Sequence, residues 1–320
     1  MLVGRNVPGT ATLLYNGDVL YAGGFLNESE LYHPIARKWT LTGYMSGQRV
    51  AHTATRLLSG RVLVAGGYGA PIEAEIYDPL TGSWSLTGHL RVGRYGHSAT
   101  LLRDGRVLIA GGFDVGGMAT ARAELFNPNT GTWTVTGSMH MTRALPAASL
   151  LLSGKVLVAE GSAGISAELY DPATGTWTLT GAPHVFVSNE SVFTRLKNGR
   201  VLAAGGDLTG TAELYDETTG QWTPTGGLND PRAFPVSVLL WSGDVLVTAG
   251  NCYSTPGCVT SELYHPDSGL WARTGSTVYA HDRTTLTRLW SGRVLVAGGS
   301  VGPASNMHSE IYIPPLVGSV

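Results

Sequence analysis

One unit is written seven times along this chain, and nothing constrains its fold more. The unit centres on an apolar run closed by a glycine pair, as in "GRVLIAGG". The pair stands at Gly23-Gly24, Gly66-Gly67, Gly111-Gly112, Gly205-Gly206 and Gly298-Gly299, and is altered to Glu160-Gly161 and Ala249-Gly250. The second glycines lie 43, 45, 49, 45, 44 and 49 residues apart. Downstream of each comes Glu-x-Tyr/Phe: Glu30/Tyr32, Glu75/Tyr77, Glu124/Phe126, Glu168/Tyr170, Glu213/Tyr215, Glu262/Tyr264 and Glu310/Tyr312. Seven residues after each of the first six aromatics stands a Trp (Trp39, Trp84, Trp133, Trp177, Trp222, Trp271) that opens W-x-x-T-G. Self-similarity at such a period is the mark of a repeat architecture.

Each unit reads as four short strands. "HSATLL" is strand A, and "GRVLIAGG" is strand B, apolar and β-branched enough to be buried on both faces. "AEIYDP" is strand C and "SWSLTG" is strand D. "SG" or "DG" joins A to B, and "DPxTG" joins C to D, both good turn chemistry. No helical period appears. One four-stranded unit cannot bury both faces of its sheet, whereas seven in a ring can, with Tyr and Trp packed between neighbours. The chain is therefore expected to be all-β, a single domain over residues 1–320.

The glycine pair, the Tyr and Trp downstream and the Arg-x-x-His before strand A resemble kelch repeats. That resemblance implies a seven-bladed β-propeller with four antiparallel strands per blade. The seventh unit, "SEIYIPPLVGSV", has no Trp, so either the last blade has three strands or the chain is a fragment of something longer. "HSEIYIPPL" also resembles the last propeller blade of galactose oxidase and glyoxal oxidase. Those enzymes need a Cys-modified Tyr, a second Tyr and two His at the propeller axis. Tyr95 and His97 resemble the Tyr-His pair, but Gly96 separates them and the two cysteines lie in one distant loop. Copper-radical oxidase activity is not expected, nor is any cofactor.

The A–B and C–D turns are short and uniform, whereas the B–C and D–A loops are long and irregular. The second set shares one face, where binding is expected. Eleven residues before the A–B turn glycine lie Arg49, Arg94, Arg143 and Arg232, with His281 in the same register, and eight before it lie His52 and His97. In kelch substrate-adaptor domains, arginines before strand A line the ligand pocket, so the resemblance implies a ring of guanidinium groups at the mouth. The competing reading has these Arg and His bonding loop carbonyls. Tyr95, His184, Glu190 and Asp282 are further candidates on this face, as are His140, Asp230 and Arg283. Glu160 replaces a repeat glycine and Asp207 follows a pair directly, so both are expected at the rim of the opening. A carboxylate there could serve as base, metal ligand or salt-bridge partner. The seven Glu of Glu-x-Tyr read as structural.

A net charge of −2, with 14% charged residues, gives no pull toward nucleic acid or membrane. No apolar run is long enough to span a bilayer. Cys252 and Cys258 in "NCYSTPGC" are either a disulfide or two free thiols. With only three lysines, a disulfide favours a secreted or extracellular protein, although no signal peptide is seen; a cytoplasmic location is the alternative. The reading is a monomeric, bacterial-type propeller that binds an anionic ligand, a glycan or a protein at its loop face. The alternative is a lyase, hydrolase or isomerase acting on an anionic small molecule or sugar at the mouth of the opening.

Overall fold

The computed structural model describes residues 1–5, 7, 9–184, 191–206, 209–252, 258–301, 304–305 and 308–315. Seven antiparallel sheets are arranged in a ring, six of four strands and the last of three. Blade 1 comprises strands A to D at Thr10–Leu13, Val19–Ala22, Glu28–His33 and Lys38–Tyr44. Strands A of blades 2 to 7 begin at Thr53, Ser98, Ala147, Val192, Val236 and Thr285. Blade 7 ends with its third strand, Ser309–Tyr312. In the first six blades the order is A-B-C-D from the axis outward, and in the seventh it is A-B-C. Strand A of each blade lies beside strand A of the next, and that of blade 7 lies beside that of blade 1, so the ring closes.

Strand B is buried at all four positions in every blade, as its unbroken Val/Leu/Ala content requires. The core is a series of packets between neighbouring blades. One holds Leu57, Leu63, Ala65 and Ala74 of blade 2 against Val107, Ile109, Phe126 and Trp133 of blade 3. Its repeats lie between blades 3 and 4, 4 and 5, 5 and 6, and 7 and 1.

W-x-x-T-G is the staple that fastens one blade to the next. Its Trp lies directly opposite the aromatic of strand C, as Trp84 opposite Tyr77. Its Thr hydroxyl bonds the Tyr hydroxyl of the following blade: Thr42 to Tyr77, Thr136 to Tyr170, Thr180 to Tyr215, Thr225 to Tyr264 and Thr274 to Tyr312, each at 2.8 Å. Its Gly N–H donates to the carbonyl of the next C–D turn, as Gly43 to Gly82 at 2.9 Å. On the turn face, the side chain two residues before each A–B turn glycine covers the turn glycine of the next blade. Tyr15 lies on Gly60, Leu58 on Gly105, Trp241 on Gly292 and Trp290 on Gly17.

Candidate functional site

The shared-register arginines do not reach the mouth. Arg49, Arg94, Arg143 and Arg232 are all 0% exposed. Arg94 shows the pattern: Nη1 donates to the carbonyls of Gly111 (3.1 Å) and Arg122 (2.7 Å), and Nη2 to Glu124 Oε1 at 2.8 Å. Glu124 in turn accepts from the backbone N–H groups of Arg91 and Val92. The guanidinium is thus a strut that ties the D–A loop, the end of strand B and the start of strand C inside one blade. Arg49 with Glu75, Arg143 with Glu168 and Arg232 with Glu262 repeat it. In blade 7 His281 takes the same place, with Nδ1 3.0 Å from the Gly298 carbonyl and Nε2 2.9 Å from Glu310. The expected cationic ring is corrected accordingly. Burial forces each guanidinium to find carboxylate and carbonyl partners, and the Glu-x-Tyr carboxylate stands in reach. A fifth strut, Arg5 with Glu30, escaped the register because Arg5 lies twelve residues before its turn glycine instead of eleven.

His52 and His97 are also scaffold. Each imidazole lies over the glycine pair of the preceding blade, where a Cβ on Gly66 would come within 2.9 Å of His97 Cε1. Each Nε2 bonds a Thr of that blade, His52 to Thr10 at 3.0 Å and His97 to Thr53 at 2.9 Å. Burial, with Arg49 and Arg5 near His52 and Arg94 near His97, lowers both pKa values to about 3. Both rings are therefore neutral at ordinary pH. The same position holds Pro146 against Gly111 and Pro235 against Gly205. In blade 5 it holds Ser191, and there the facing residue is Glu160 in place of glycine. The Ser191 hydroxyl donates to the Glu160 carboxylate. Glu160 has φ 63 and ψ −153, a region that favours glycine.

An open cavity of about 780 Å³ lies where D–A and B–C loops of several blades converge. Its lining includes His52, Tyr95, His97, Phe113, Leu145, Glu160, Ser191, Phe234 and Arg283. Along one side runs an aromatic ledge: Phe25 edge-on to Tyr68 (6.3 Å), Tyr68 edge-on to Tyr95 (5.7 Å) and Tyr95 stacked on Phe113 (5.1 Å). Tyr68 is 58% exposed and Phe25 44%. Opposite, the Arg283 guanidinium sits 4.6 Å over the Phe234 ring. Ala51, Leu145, Phe234 and Arg283 share one register and have positive φ.

Of the sequence candidates, Tyr95, Glu160, His52, His97 and Arg283 meet at this cavity. His184 stands apart and bonds Glu213 at 2.8 Å, and His140 bonds Glu168 at 2.8 Å. Asp230 pairs with Arg273 at 2.7 Å, while Asp282 buries an Oδ1 that has no hydrogen-bond partner among the described residues. Glu190 and Asp207 lie outside the described residues. Cys252 and Cys258 are joined by a disulfide, with Cα atoms 5.0 Å apart, and Cys252 pairs with Arg232 on the same face. The ledge was missed, yet it had a signal. Phe25, Tyr68 and Phe113 each follow a glycine pair directly in three successive repeats.

These features define a seven-bladed β-propeller. The kelch motif family matches residues 94–140, from the Arg94 strut to His140. Among solved structures, the chain is similar to a fungal alcohol oxidase of the AA5 family in complex with copper. The TM-score is 0.77 at 18% identity, covering 93% of this chain and 71% of that one. No curated protein matches in sequence. The likeness lies in the fold. Copper ligation does not fit the described residues. Both cysteines are spent in the disulfide, and His52 and His97 are held by threonines. No cluster of three or more His, Cys, Asp or Glu suited to a metal occurs among the described residues. Among them, too, no helix is long and apolar enough to cross a membrane.

Proposed function

We propose that the protein is a binding module that takes a glycan at the mouth of its loop face. The observation that carries this reading is the aromatic ledge of Tyr68, Tyr95 and Phe113 beside a cavity of about 780 Å³. Flat, half-exposed rings with polar hydroxyls suit the apolar face and hydroxyl rim of a sugar. The earlier preference for anions loses its support, because the arginines that would have carried it are buried in struts. Arg283 and Glu160 bring one charge of each sign to the cavity, so a neutral or weakly charged sugar is the better fit. The disulfide supports an exported protein.

The test is isothermal titration with neutral gluco-, manno-, xylo- and galacto-configured oligosaccharides. Tyr95→Ala is expected to weaken any saturable binder at least fivefold with little loss of stability. Binding confined to sulfated or uronic sugars and abolished by salt, or binding unaffected by Tyr95→Ala and Tyr68→Ala, would overturn the proposal.

A further inference from the structure

The face opposite the loops carries the cationic rim that the loop face lacks. At the A–B turns, two side chains of each blade stand nearest the axis: the last residue of strand A and the residue two before the turn glycine. Across the seven blades these positions hold Arg56, Arg195 and Arg288 at the first and Arg103 and Lys197 at the second, and no carboxylate. Arg56 and Arg288 each give one Nη1–H to a carbonyl of the preceding blade, Leu13 and Leu239. Arg103 and Lys197 reach the carbonyls of Leu152 and Trp241 in the following blade. Among the described residues none of the five is ion-paired. The next ring outward is paired throughout much of its length: Arg61 with Asp78, Lys155 with Asp171, Arg200 with Asp216, and Asp18 and Asp244 with His33 and His265. Asp104, next to Arg103 in sequence, is taken by Arg106 at 2.7 Å.

Exposed aromatic rings interleave with these cations. Six of the eight tryptophans are the strand D staples. The other two, Trp241 and Trp290, are the exposed ones, at 53% and 52%, and both stand on this rim. Tyr15 holds the same register in blade 1 and is exposed as well. The Arg288 guanidinium lies 3.9 Å over the centre of the Trp241 ring. That of Arg56 lies 4.4 Å over Tyr15 and 5.9 Å from Trp290. Three rings and two guanidinium groups thus form one arc across blades 6, 7, 1 and 2. Contact with a ring orients a guanidinium but bonds none of its N–H groups. Among the described residues, Arg56 and Arg288 each make a single hydrogen bond, so the rest of each fork is free. The fold does not require this chemistry, because other blades close with Leu13, Leu101, Leu150 and Leu239 at the first position and Leu58 and Leu152 at the second.

We propose that this arc is a binding site for a glycan chain of uronic acid residues. A uronic acid carries a flat apolar face and a carboxylate on one sugar ring, and the arc sets an indole and a guanidinium equally close together. The carboxylate takes the free fork of Arg288 or Arg56, and the sugar face lies against Trp241, Trp290 or Tyr15. Arg103, Arg195 and Lys197 extend the positive rim and draw the chain in. An acidic peptide brings the charge without the flat face, and a neutral sugar leaves the cations unused. The site lies at the other end of the axis from the loop-face cavity and shares no residue with it, so failure of the reading there leaves this one standing.

The experiment uses the full chain and tetragalacturonate, with galactotetraose as the neutral control and a short oligothymidylate as a second polyanion. Acrylamide quenches exposed tryptophan, so Trp241 and Trp290 report on their own site. Tetragalacturonate is expected to shield them from acrylamide, and galactotetraose to leave the quenching unchanged. Titration is expected to show saturable binding that falls with salt and weakens at least tenfold in Arg288→Gln and in Trp290→Ala. Trp290→Phe, which keeps a flat ring, and Arg61→Ala are expected to bind within about threefold of the wild type. The melting temperature of each variant separates lost binding from lost folding, and the shielding experiment needs no variant at all. Absence of shielding, binding indifferent to both Arg288→Gln and Arg56→Gln, equal loss in Trp290→Ala and Trp290→Phe, or tighter binding of the oligothymidylate would each overturn the proposal.

Discussion

Arg94→Ala separates a strut from a ligand contact. The guanidinium is fully buried and makes bonds to the carbonyls of Gly111 and Arg122 and to Glu124. Its removal strands a carboxylate that is itself 1% exposed and unpairs two buried carbonyls. Breaking a buried pair from one side costs about 3–5 kcal/mol. For a chain of this size that corresponds to a fall in melting temperature of roughly 5–10 °C. Adding Glu124→Gln removes the stranded charge and is expected to return about 1–2 kcal/mol, a coupling that a double-mutant cycle reads directly. Arg61→Ala is the control. Arg61 pairs with Asp78 at 3.0 Å, but its side chain is 55% exposed, so the loss is expected to stay under about 1 kcal/mol. Urea denaturation of the wild type, Arg94→Ala, Glu124→Gln, their double variant and Arg61→Ala is the assay. An Arg94→Ala protein with wild-type stability that had lost affinity for sulfate would refute the strut and restore the cationic mouth.

Acid sensitivity is expected from His52 and His97. Their folded pKa values lie at about 3, below the unfolded value, so the unfolded chain takes up protons first as pH falls. The stability they confer is complete above about pH 6.5 and drains away toward pH 3, by up to roughly 4 kcal/mol per ring. Denaturation midpoints at pH 7 and pH 4 should show it, and His97→Pro, the residue type of blades 4 and 6 at that position, should flatten the profile. Glu168 adds to the trend: burial raises its pKa, but the backbone N–H and ring of His140, with Met141 and Arg143, hold it below the usual range. Replacing Cys252 and Cys258 with Ser should cost about 2 kcal/mol for so short a loop. Alkylation of non-reduced protein should label no thiol; two labelled thiols would remove the argument for export.

The fold was legible because the repeat writes its joints into the sequence. The Trp of W-x-x-T-G packs on its own blade's strand C aromatic, and the Thr and Gly meet the next blade's Tyr and turn, so their fixed spacing reflects fixed contacts. The three described strands of the last blade were one of the two readings open for the same reason, since no Trp follows Tyr312. The site was less so. A register count places Arg94 at the entrance to strand A, but cannot say whether the side chain turns toward the axis or under its own loop. That choice depends on Glu124, thirty residues onward, and on carbonyls that only the folded loop exposes. Arg5 slipped the register by one residue and was lost. The ledge was open to reading, because the residue after a glycine pair leaves the blade toward the mouth.

Glu160 tests how far the scaffold explains the cavity. In blades 2 and 3 a His, and in blades 4 and 6 a Pro, covers the glycine pair of the preceding blade, and any side chain on that glycine would collide with the ring. Blade 5 offers Ser191, which leaves room, and Glu160 fills it. The pair is thus one compensated exchange, in which a ring at position 191 requires glycine at position 160. Ser191→His alone should drive a ring into Glu160, costing about 1–3 kcal/mol as overpacking does. Glu160→Gly alone should lose the Ser191 bond, about 1 kcal/mol, against the release of about 1–3 kcal/mol of backbone strain. The double variant should be at least as stable as the parent, by urea denaturation. If it is, Glu160 is not needed to hold the ring together, and any loss of glycan binding in that variant belongs to the carboxylate itself. If the double variant is less stable than either single one, the two residues are not a compensated exchange.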